Sequence, residues 1–201
     1  DSEGYIRFDH IGEGAYDQTE KVIQKLLSEI GTEVEEIPLS EMPDKTPKLP
    51  TTPELYAGYS FALPRGQDVG NSGGLNSKDT VDYVLSGETN RDVIYLQSSW
   101  HSNADNLEAK EDSAAIILDF LAGSVNIVAD NLEEAVEMEV FIDGLYVSKE
   151  QAGEDVQFDG EKAFVIVDKP QLYNVFDGDH GEYNLKLVVK EGFTFHAFTF
   201  G

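Results

Sequence analysis

A succession of short β-type segments fills the chain from about residue 80 to its last residue. These segments are rich in Val, Ile and Phe: SAAIILDF, SVNIVAD, VEMEVFID, AFVIVD, YNLKLVVK and FTFHAFTF. In one of them Met138, Val140 and Ile142 alternate with polar residues, which is typical of a strand with one buried face. Asp143-Gly144 follows and predicts a tight hairpin, because both turn positions must tolerate positive φ. The pattern predicts a mainly β fold, an antiparallel β-sandwich of the jelly-roll type over residues 54–201.

The first 31 residues have a different pattern, a strand-like segment followed by a helical one. Residues 5–8 predict a short strand, which needs a partner strand because it cannot satisfy its own backbone donors and acceptors. A helix is predicted from about residue 16 to residue 30, with Gly31 at its C-terminal cap. Its apolar residues recur at helical spacing and form one stripe: Val22, Ile23, Leu26, Leu27 and Ile30.

Between these two parts, residues 32–53 are predicted to be a linker. Prolines recur along this stretch at positions 38, 43, 47, 50 and 53. Proline at this density blocks helices and interior strands and favours extended, stiff chain.

The charge balance bears on the partners of the chain. Fourteen basic residues against 39 acidic ones give a net charge of −25. Such a surface repels nucleic acid and anionic lipid headgroups, so neither is expected as a partner. No apolar run approaches the roughly 20 residues of a membrane-spanning helix, so no direct membrane insertion is expected. Solubility is the simplest interpretation of the charge, and attraction of cations such as Ca²⁺ is the functional one.

The chain contains no cysteine. A disulfide, a thiolate metal site and a cysteine nucleophile are therefore excluded within it.

Two parts of the sequence resemble known proteins. The segment IRFDHIGEGAYDQTEKVIQKLL resembles the last strand and last helix of bacterial thioredoxin-like domains of the thiol-disulfide interchange and redoxin class. The tail LKLVVKEGFTFHAFTFG, with VFIDG, GEDVQFDG and QLYNV, is similar to the C-terminal domain that follows thioredoxin in DipZ-type proteins. That domain is similar in fold to carbohydrate-binding modules.

The resemblance implies a location and a parent protein. Residues 1–31 would end a truncated thioredoxin-like domain, whose sheet and C-x-x-C redox motif lie upstream of Asp1. The chain itself is then expected not to be an enzyme, whereas the full-length parent is expected to be a thiol-disulfide oxidoreductase. The location implied is extracytoplasmic, in the cell envelope, with a membrane tether supplied by the upstream part of the parent.

Sugar binding requires exposed aromatic rings for stacking, together with polar groups for hydroxyls. The candidate ligand-binding rings are Tyr83, Tyr95, Trp100, Tyr146 and Tyr173. Trp100 has a second interpretation, because a single tryptophan in a strand commonly fills a core.

Two oxygen-rich segments are candidate calcium sites, and the alternative for both is a solvated acidic turn. The first is a loop with Glu154, Asp155 and Asp159, and the second is a glycine-rich loop with Asp177, Asp179 and Glu182. No cofactor is required; a structural calcium ion is a hypothesis.

Three functions remain open at this level. The first is a non-catalytic accessory domain that binds a glycan or a protein partner and positions an upstream thioredoxin-like domain. The second is a purely structural or protein-interaction module without a sugar site. The third is a free-standing hydrolase, which requires two carboxylates at catalytic separation. The apolar stripe of residues 1–31 is expected to pack on the β-sandwich or to form a homodimer with another copy of the chain.

Overall fold

The computed structural model describes residues 1–11, 14–32, 34, 37–39, 49–132 and 134–201. The chain divides into two compact units, Asp1–Lys48 and Leu49–Gly201, and each is described by itself. Within the described residues, no helix has the length and apolar character needed to cross a bilayer.

The smaller unit contains the helix α1 (Tyr16–Glu29), which confirms the helix predicted there. Gly31 has a φ of 84°, and its N–H donates to Ser28 O at 3.0 Å, as expected of a left-handed C-terminal cap. No residue of α1 is buried, and Ile23 is 51% exposed. The apolar stripe is therefore at least partly solvent-exposed in this unit.

The strand predicted at residues 5–8 is not formed, because no strand among the described residues pairs with it. The segment instead folds back on Asp1, whose carboxylate accepts hydrogen bonds from Glu3 N at 3.1 Å and Tyr5 N at 3.0 Å. Ile6 is 87% exposed. The assignment of residues 1–31 to the end of a thioredoxin-like domain stays a prediction.

Most of the predicted linker, including residues 40–48, lies outside the described residues. Its last part is joined to the larger unit. Thr52 is buried, and its N–H donates to Leu121 O at 2.8 Å. The carbonyl of Pro50 lies 2.9 Å from His180 Nε2. Residues 50–52 are thus fixed to the larger unit by hydrogen bonds.

The larger unit is built from strands and two short helical turns. In chain order these are β1 (Leu55–Tyr56), α2 (Tyr59–Ala62), a 3₁₀ turn (Leu63–Arg65), β2 (Thr80–Tyr83), β3 (Ile94–Ser102), β4 (Leu107–Ala109), β5 (Ala114–Asn131), β6 (Val136–Ile142), β7 (Leu145–Tyr146), β8 (Gln157–Asp159), β9 (Lys162–Val167), β10 (Gln171–Val189) and β11 (Phe193–Phe200). The strands follow the order β1-β11-β4-β3-β5-β10-β6-β9-β8, with β2 on β3 and β7 on β6. Every strand ladder is antiparallel, which confirms the predicted mainly β, antiparallel fold.

The two longest strands organise this sheet. β5 and β10 pair from Gln171↔Ala129 to Val189↔Ala114, with irregularities between Asp177 and Gly181 of β10. β3 pairs with the first half of β5 and β11 with its second half, while β4 joins β3 to β11. The strands β3, β4, β11 and β5 therefore form a closed ring, which leaves fewer open sheet edges.

Alternation along the strands fills one large core. Met138, Val140 and Ile142 of β6 are buried as predicted. Phenylalanine rings supply much of the volume: Phe120, Phe176, Phe193, Phe195 and Phe198 are all fully buried. The predicted Asp143-Gly144 hairpin forms with φ values of 52° and 81°.

Candidate functional site

The structure places four of the five predicted sugar-binding rings in the interior. Tyr83, Tyr95, Trp100 and Tyr173 are exposed by only 4%, 6%, 1% and 2%. None of these four rings offers a face to solvent in this structure, so none can act as a stacking platform here.

The polar atoms of these buried rings are satisfied by neighbouring groups. Trp100 Nε1 donates to Gln97 O at 2.9 Å, which confirms the core interpretation of the tryptophan. Tyr173 Oη donates to Lys169 O at 2.7 Å. Burial raises the pKa of both Tyr83 and Tyr173 above the usual value, because a buried phenolate loses solvation.

The remaining ring, Tyr146, lies on an accessible face of the sheet. β7 pairs with the end of β6 so that Tyr146 is opposite Phe141, and their rings stack with centroids 4.3 Å apart at 24°. Both rings are partly exposed. Tyr146 Oη donates to Glu139 Oε2 at 2.6 Å. This hydrogen bond to a carboxylate raises the pKa of Tyr146.

A lysine from the next strand joins these groups into a network. Lys162 Nζ lies 2.5 Å from Glu137 Oε1 and 3.3 Å from Glu139 Oε1. The hydrogen bond to Glu137, with a second to Glu139, raises the pKa of Lys162. Phe164 is paired with Glu139 across the ladder, and its ring centroid is 5.8 Å from Lys162 Nζ. We call this surface the β6–β9 face: Glu137, Glu139, Phe141, Tyr146, Lys162 and Phe164.

A cleft of about 370 Å³ continues this surface past Tyr146. Phe158 forms part of its wall, and Lys149 Nζ lies 5.6 Å from the Phe158 ring centroid. Ser148 and Glu161 add polar groups to the lining, and Leu145 is 76% exposed. The volume lies in the lower part of the range of about 300–1,000 Å³ that is usual for small-molecule sites.

Charges along the β6–β9 face and its cleft compensate one another. Glu137, Glu139 and Glu161 are matched by Lys162, Lys149 and Lys186, the last of which is opposite Phe141 in the ladder. The chain as a whole carries −25. The lining is thus less negative than the average of the protein and does not favour a strongly charged ligand.

A larger depression of about 630 Å³ lies elsewhere on the unit. Its described lining consists largely of charged side chains such as Glu108, Lys110 and Lys190, and includes no aromatic ring. It therefore lacks the stacking surface that a sugar requires.

The predicted calcium ligands do not gather into one site. No group of three or more His, Asp or Glu residues suited to a metal ion occurs in the part of the chain that the structure describes. Asp155 accepts a hydrogen bond from Asn174 N at 2.7 Å, whereas Glu154 and Asp159 are exposed. Calcium binding stays a prediction.

The second predicted calcium loop is wrong as secondary structure, because Asp177, Asp179 and Glu182 lie within β10. The glycines that indicated a loop accommodate the irregularity of that strand instead. Glu182 is engaged in an ion pair with Arg91.

Sequence reasoning missed most of the β6–β9 face. The alternation along β6 predicts only that one side of the strand is polar, and it does not single out Glu137, Glu139 or Phe141 as members of a site. The available signal was an aromatic residue on that polar side, since Phe141 and Phe164 both stand at positions where alternation expects a polar residue. The partnership between β6 and β9 could not be read from this local pattern.

Comparisons with known proteins place most of the larger unit in one family. The model of the family described as "Thioredoxin like C-terminal domain" matches residues 52–201. Protein DipZ from Mycobacterium bovis and Protein DipZ from Mycobacterium tuberculosis are each 29% identical over 131 residues, which is 64% of this chain. The matched part is 18% of the length of each of these relatives.

The similarity to solved structures is weaker. A family two carbohydrate esterase from Cellvibrio japonicus has a TM-score of 0.42 at 12% identity, over 52% of this chain and 29% of that chain. A family two carbohydrate esterase from Clostridium thermocellum, in complex with cellohexaose, has a TM-score of 0.39 at 14% identity, over 50% of this chain and 28% of that chain.

The match to residues 52–201 covers the whole sheet, including the β6–β9 face. The chain therefore belongs to the family of thioredoxin-like C-terminal domains.

Proposed function

We propose that the larger unit is a non-catalytic domain that binds a saccharide on its β6–β9 face, within a longer extracytoplasmic thiol-disulfide oxidoreductase. The observation that carries the proposal is the partly exposed Tyr146–Phe141 stack beside the Glu139–Lys162 network. This combination provides an apolar ring for the C–H face of a sugar and polar groups for its hydroxyls.

The binding chemistry follows from the geometry of the face. A pyranose ring would stack on Tyr146 near the cleft, with Phe158 available as a second apolar wall. The carboxylates of Glu137 and Glu139 would accept hydrogen bonds from sugar hydroxyls, while Lys162 and Lys149 would donate. Since Lys162 already orients both carboxylates, little side-chain freedom is lost on binding.

The activity of the longer parent protein is proposed from family membership and from the similarity to DipZ proteins. The match covers only 18% of the length of a DipZ protein. The chain has no cysteine, so thiol-disulfide exchange would belong to another part of that parent. A bound saccharide would hold the redox domain near the cell envelope and raise its effective concentration there.

The hydrolase alternative receives little support from the same residues. Glu137 and Glu139 both pair with one lysine, whereas glycoside hydrolysis needs one carboxyl group held protonated as an acid. The protein-partner alternative is supported by a different surface, described below.

The proposal is tested on an array of cell-envelope oligosaccharides and polysaccharides, followed by calorimetric titration of any saccharide that binds. We expect the intact chain to bind at least one uncharged saccharide. Tyr146→Ala should weaken that binding about three- to tenfold through lost ring contact. Glu139→Gln should also weaken it, because the amide breaks the network of carboxylate hydrogen bonds.

The matched control is Tyr5→Ala, which removes an exposed tyrosine from the smaller unit. It should leave the affinity unchanged. The proposed function is contradicted if no saccharide on the array binds, or if Tyr146→Ala and Tyr5→Ala bind equally well.

A further inference from the structure

A second surface of the larger unit differs from the rest of the chain in charge. The segment LYAGYSFALPRGQ, residues 55–67, contains no acidic residue, although 39 of the 201 residues of the chain are acidic. It contains one basic residue, Arg65, and several large apolar side chains. Depletion of acidic residues with enrichment in aromatic residues and arginine is typical of the core of protein–protein interfaces.

The structure gathers the exposed residues of this segment into one patch. The rings of Tyr56 and Phe61 stack with centroids 6.3 Å apart at 20°. The Arg65 guanidinium carbon lies 4.5 Å from the Tyr56 centroid and 5.9 Å from the Phe61 centroid. Phe61 is 44% exposed and Leu63 is 41% exposed. We call these four residues the arginine patch.

The guanidinium of Arg65 is held in place and still has donors to offer. Its Nη1 donates to Phe61 O at 2.9 Å, and the two rings limit its movement. Arg65 forms no ion pair with any residue that the structure describes. A planar guanidinium stacked on aromatic rings is suited to bind a carboxylate through two parallel hydrogen bonds.

The polar side chains around the patch are already occupied. Gln67 Oε1 accepts from Tyr56 N at 2.9 Å, and Gln67 Nε2 donates to Glu54 O at 2.7 Å. Tyr56 Oη donates to Glu54 Oε2 at 2.7 Å. These hydrogen bonds serve the local fold and hold in place the segment that carries Tyr56.

A cleft of about 320 Å³ lies beside the patch, and its lining includes the carboxylates of Asp68 and Asp92 as well as apolar side chains. Leu55, Val69 and Ile94 are buried residues of its lining. Asp68, at its rim, accepts hydrogen bonds from Val69 N at 2.8 Å and Leu75 N at 2.7 Å. Because the two carboxylates of the lining would repel a third, the cleft is suited to one apolar side chain of a ligand whose own carboxylate lies outside the cleft, over Arg65.

We propose that the arginine patch and its cleft form a docking site for a protein segment that presents an apolar side chain next to a carboxylate. Charge complementarity with Arg65 selects the carboxylate, and the cleft selects the apolar neighbour. The site is separate from the β6–β9 face and does not depend on saccharide binding.

The test uses a phage-displayed library of random peptides, panned on the intact chain and counter-selected on the Arg65→Gln variant. We expect enrichment of peptides with Asp or Glu beside a Leu, Phe, Tyr or Trp residue. The affinity of one synthetic peptide from that set is then measured by fluorescence polarisation. The peptide should bind Arg65→Gln about tenfold more weakly than the unmodified chain, a loss at the lower end of the coupling energies measured for close charge pairs at interfaces. A version of the peptide in which the acidic residue is replaced, Asp by Asn or Glu by Gln, should bind the unmodified chain with the same loss of affinity, about tenfold.

Further variants separate docking from a general effect on the protein. Phe61→Ser should weaken binding of the peptide. Arg65→Lys should have an affinity between those of the unmodified chain and Arg65→Gln, because it keeps the charge without the planar guanidinium. Arg7→Gln removes an exposed arginine of the smaller unit that is paired with Asp1 and Glu29, and it should leave the affinity unchanged. Unchanged melting temperatures would verify that the variants fold.

The proposal is overturned if panning enriches no acidic–apolar peptides over an uncoated surface. It is also overturned if the enriched peptides bind Arg65→Gln and Arg7→Gln equally well. Neither result bears on the saccharide proposal, whose variants and probes are different.

Discussion

At the scale of single residues, Tyr173 shows how one buried hydroxyl group organises a turn. Its Oη donates to Lys169 O at 2.7 Å and accepts from Asp168 N at 3.2 Å. We expect Tyr173→Phe to lower the free energy of unfolding by about 1 kcal/mol, because these turn groups lose their partner. Urea unfolding of both proteins measures the difference.

The control for this prediction is Tyr183→Phe. Tyr183 Oη also bonds a backbone carbonyl, that of Asp179 at 3.0 Å, but at an exposed position. Water can replace that hydrogen bond, so Tyr183→Phe should cost little. Equal losses for the two variants would contradict the role given to Tyr173.

Gly58 is required because there is no room for a side chain, and its backbone conformation plays no part in that requirement. Its φ of −71° suits any residue, but an added Cβ would lie 2.3 Å from the backbone Cα and C of Asp105. We expect Gly58→Ala to destabilise the larger unit by about 1–3 kcal/mol, since backbone must move. Gly123→Ala, whose nearest contact would be 3.4 Å away, is the control in the same urea experiment and should cost less.

At the scale of elements, β6, β7 and β9 together hold a coupled set of titrating groups. The hydrogen bond to Glu139 raises the pKa of Tyr146 above 10.0, and the bond to Glu137 raises that of Lys162 above 10.5. Both folded-state pKa values exceed the unfolded ones. The stability they contribute is therefore complete below about pH 10 and is lost as pH rises through the folded-state values.

The titration of Tyr146 tests this network directly. The phenolate absorbance of the protein minus that of Tyr146→Phe gives the titration of the one ring. We expect its midpoint above 10.0, and a shift to lower pH in Glu139→Gln, which removes the carboxylate acceptor. A midpoint that does not respond to Glu139→Gln would show that the hydrogen bond is absent in solution.

The apolar stripe of α1 leads to a prediction about association. Because Ile23 and Ile30 are 51% and 57% exposed, we expect the stripe to be covered by another surface in solution, as the sequence also predicted. If that surface is a second copy, sedimentation should show a concentration-dependent dimer. Ile23→Ser with Ile30→Ser, or removal of residues 1–31, should then give a monomer.

A matched control for the dimer is Lys25→Ser, which changes an exposed polar position of the same helix. It should leave association unchanged. A protein that is monomeric at all concentrations would contradict the dimer and leave packing on the larger unit as the alternative.

The sequence predicted the strands better than it predicted the site, for a physical reason. Alternation such as Met138-Val140-Ile142 is local, so it identifies a strand and its buried side without knowledge of neighbours. The β6–β9 face depends on which strands become adjacent, and the ladder that sets Phe164 opposite Glu139 cannot be read from either strand alone. The buried Tyr83, Tyr95 and Tyr173 were chosen by residue type, which does not reveal exposure.

At the scale of the whole molecule, the larger unit presents two separate surfaces. One is the β6–β9 face, with compensated charges and a stacked aromatic pair. The other is the arginine patch, in which a guanidinium stacks on two rings. In a longer redox protein, such surfaces would fix where the catalytic part acts rather than what it does.

The most direct test of the central claim is an amide chemical-shift titration of the intact chain with the saccharide that binds best on the array. We expect shifts concentrated at residues 137–141, 146–149 and 158–164, which saturate at the calorimetric affinity and need about three- to tenfold more saccharide in Tyr146→Ala. Shifts concentrated instead at another surface, such as residues 55–67, or no shifts at saturating saccharide, would contradict it.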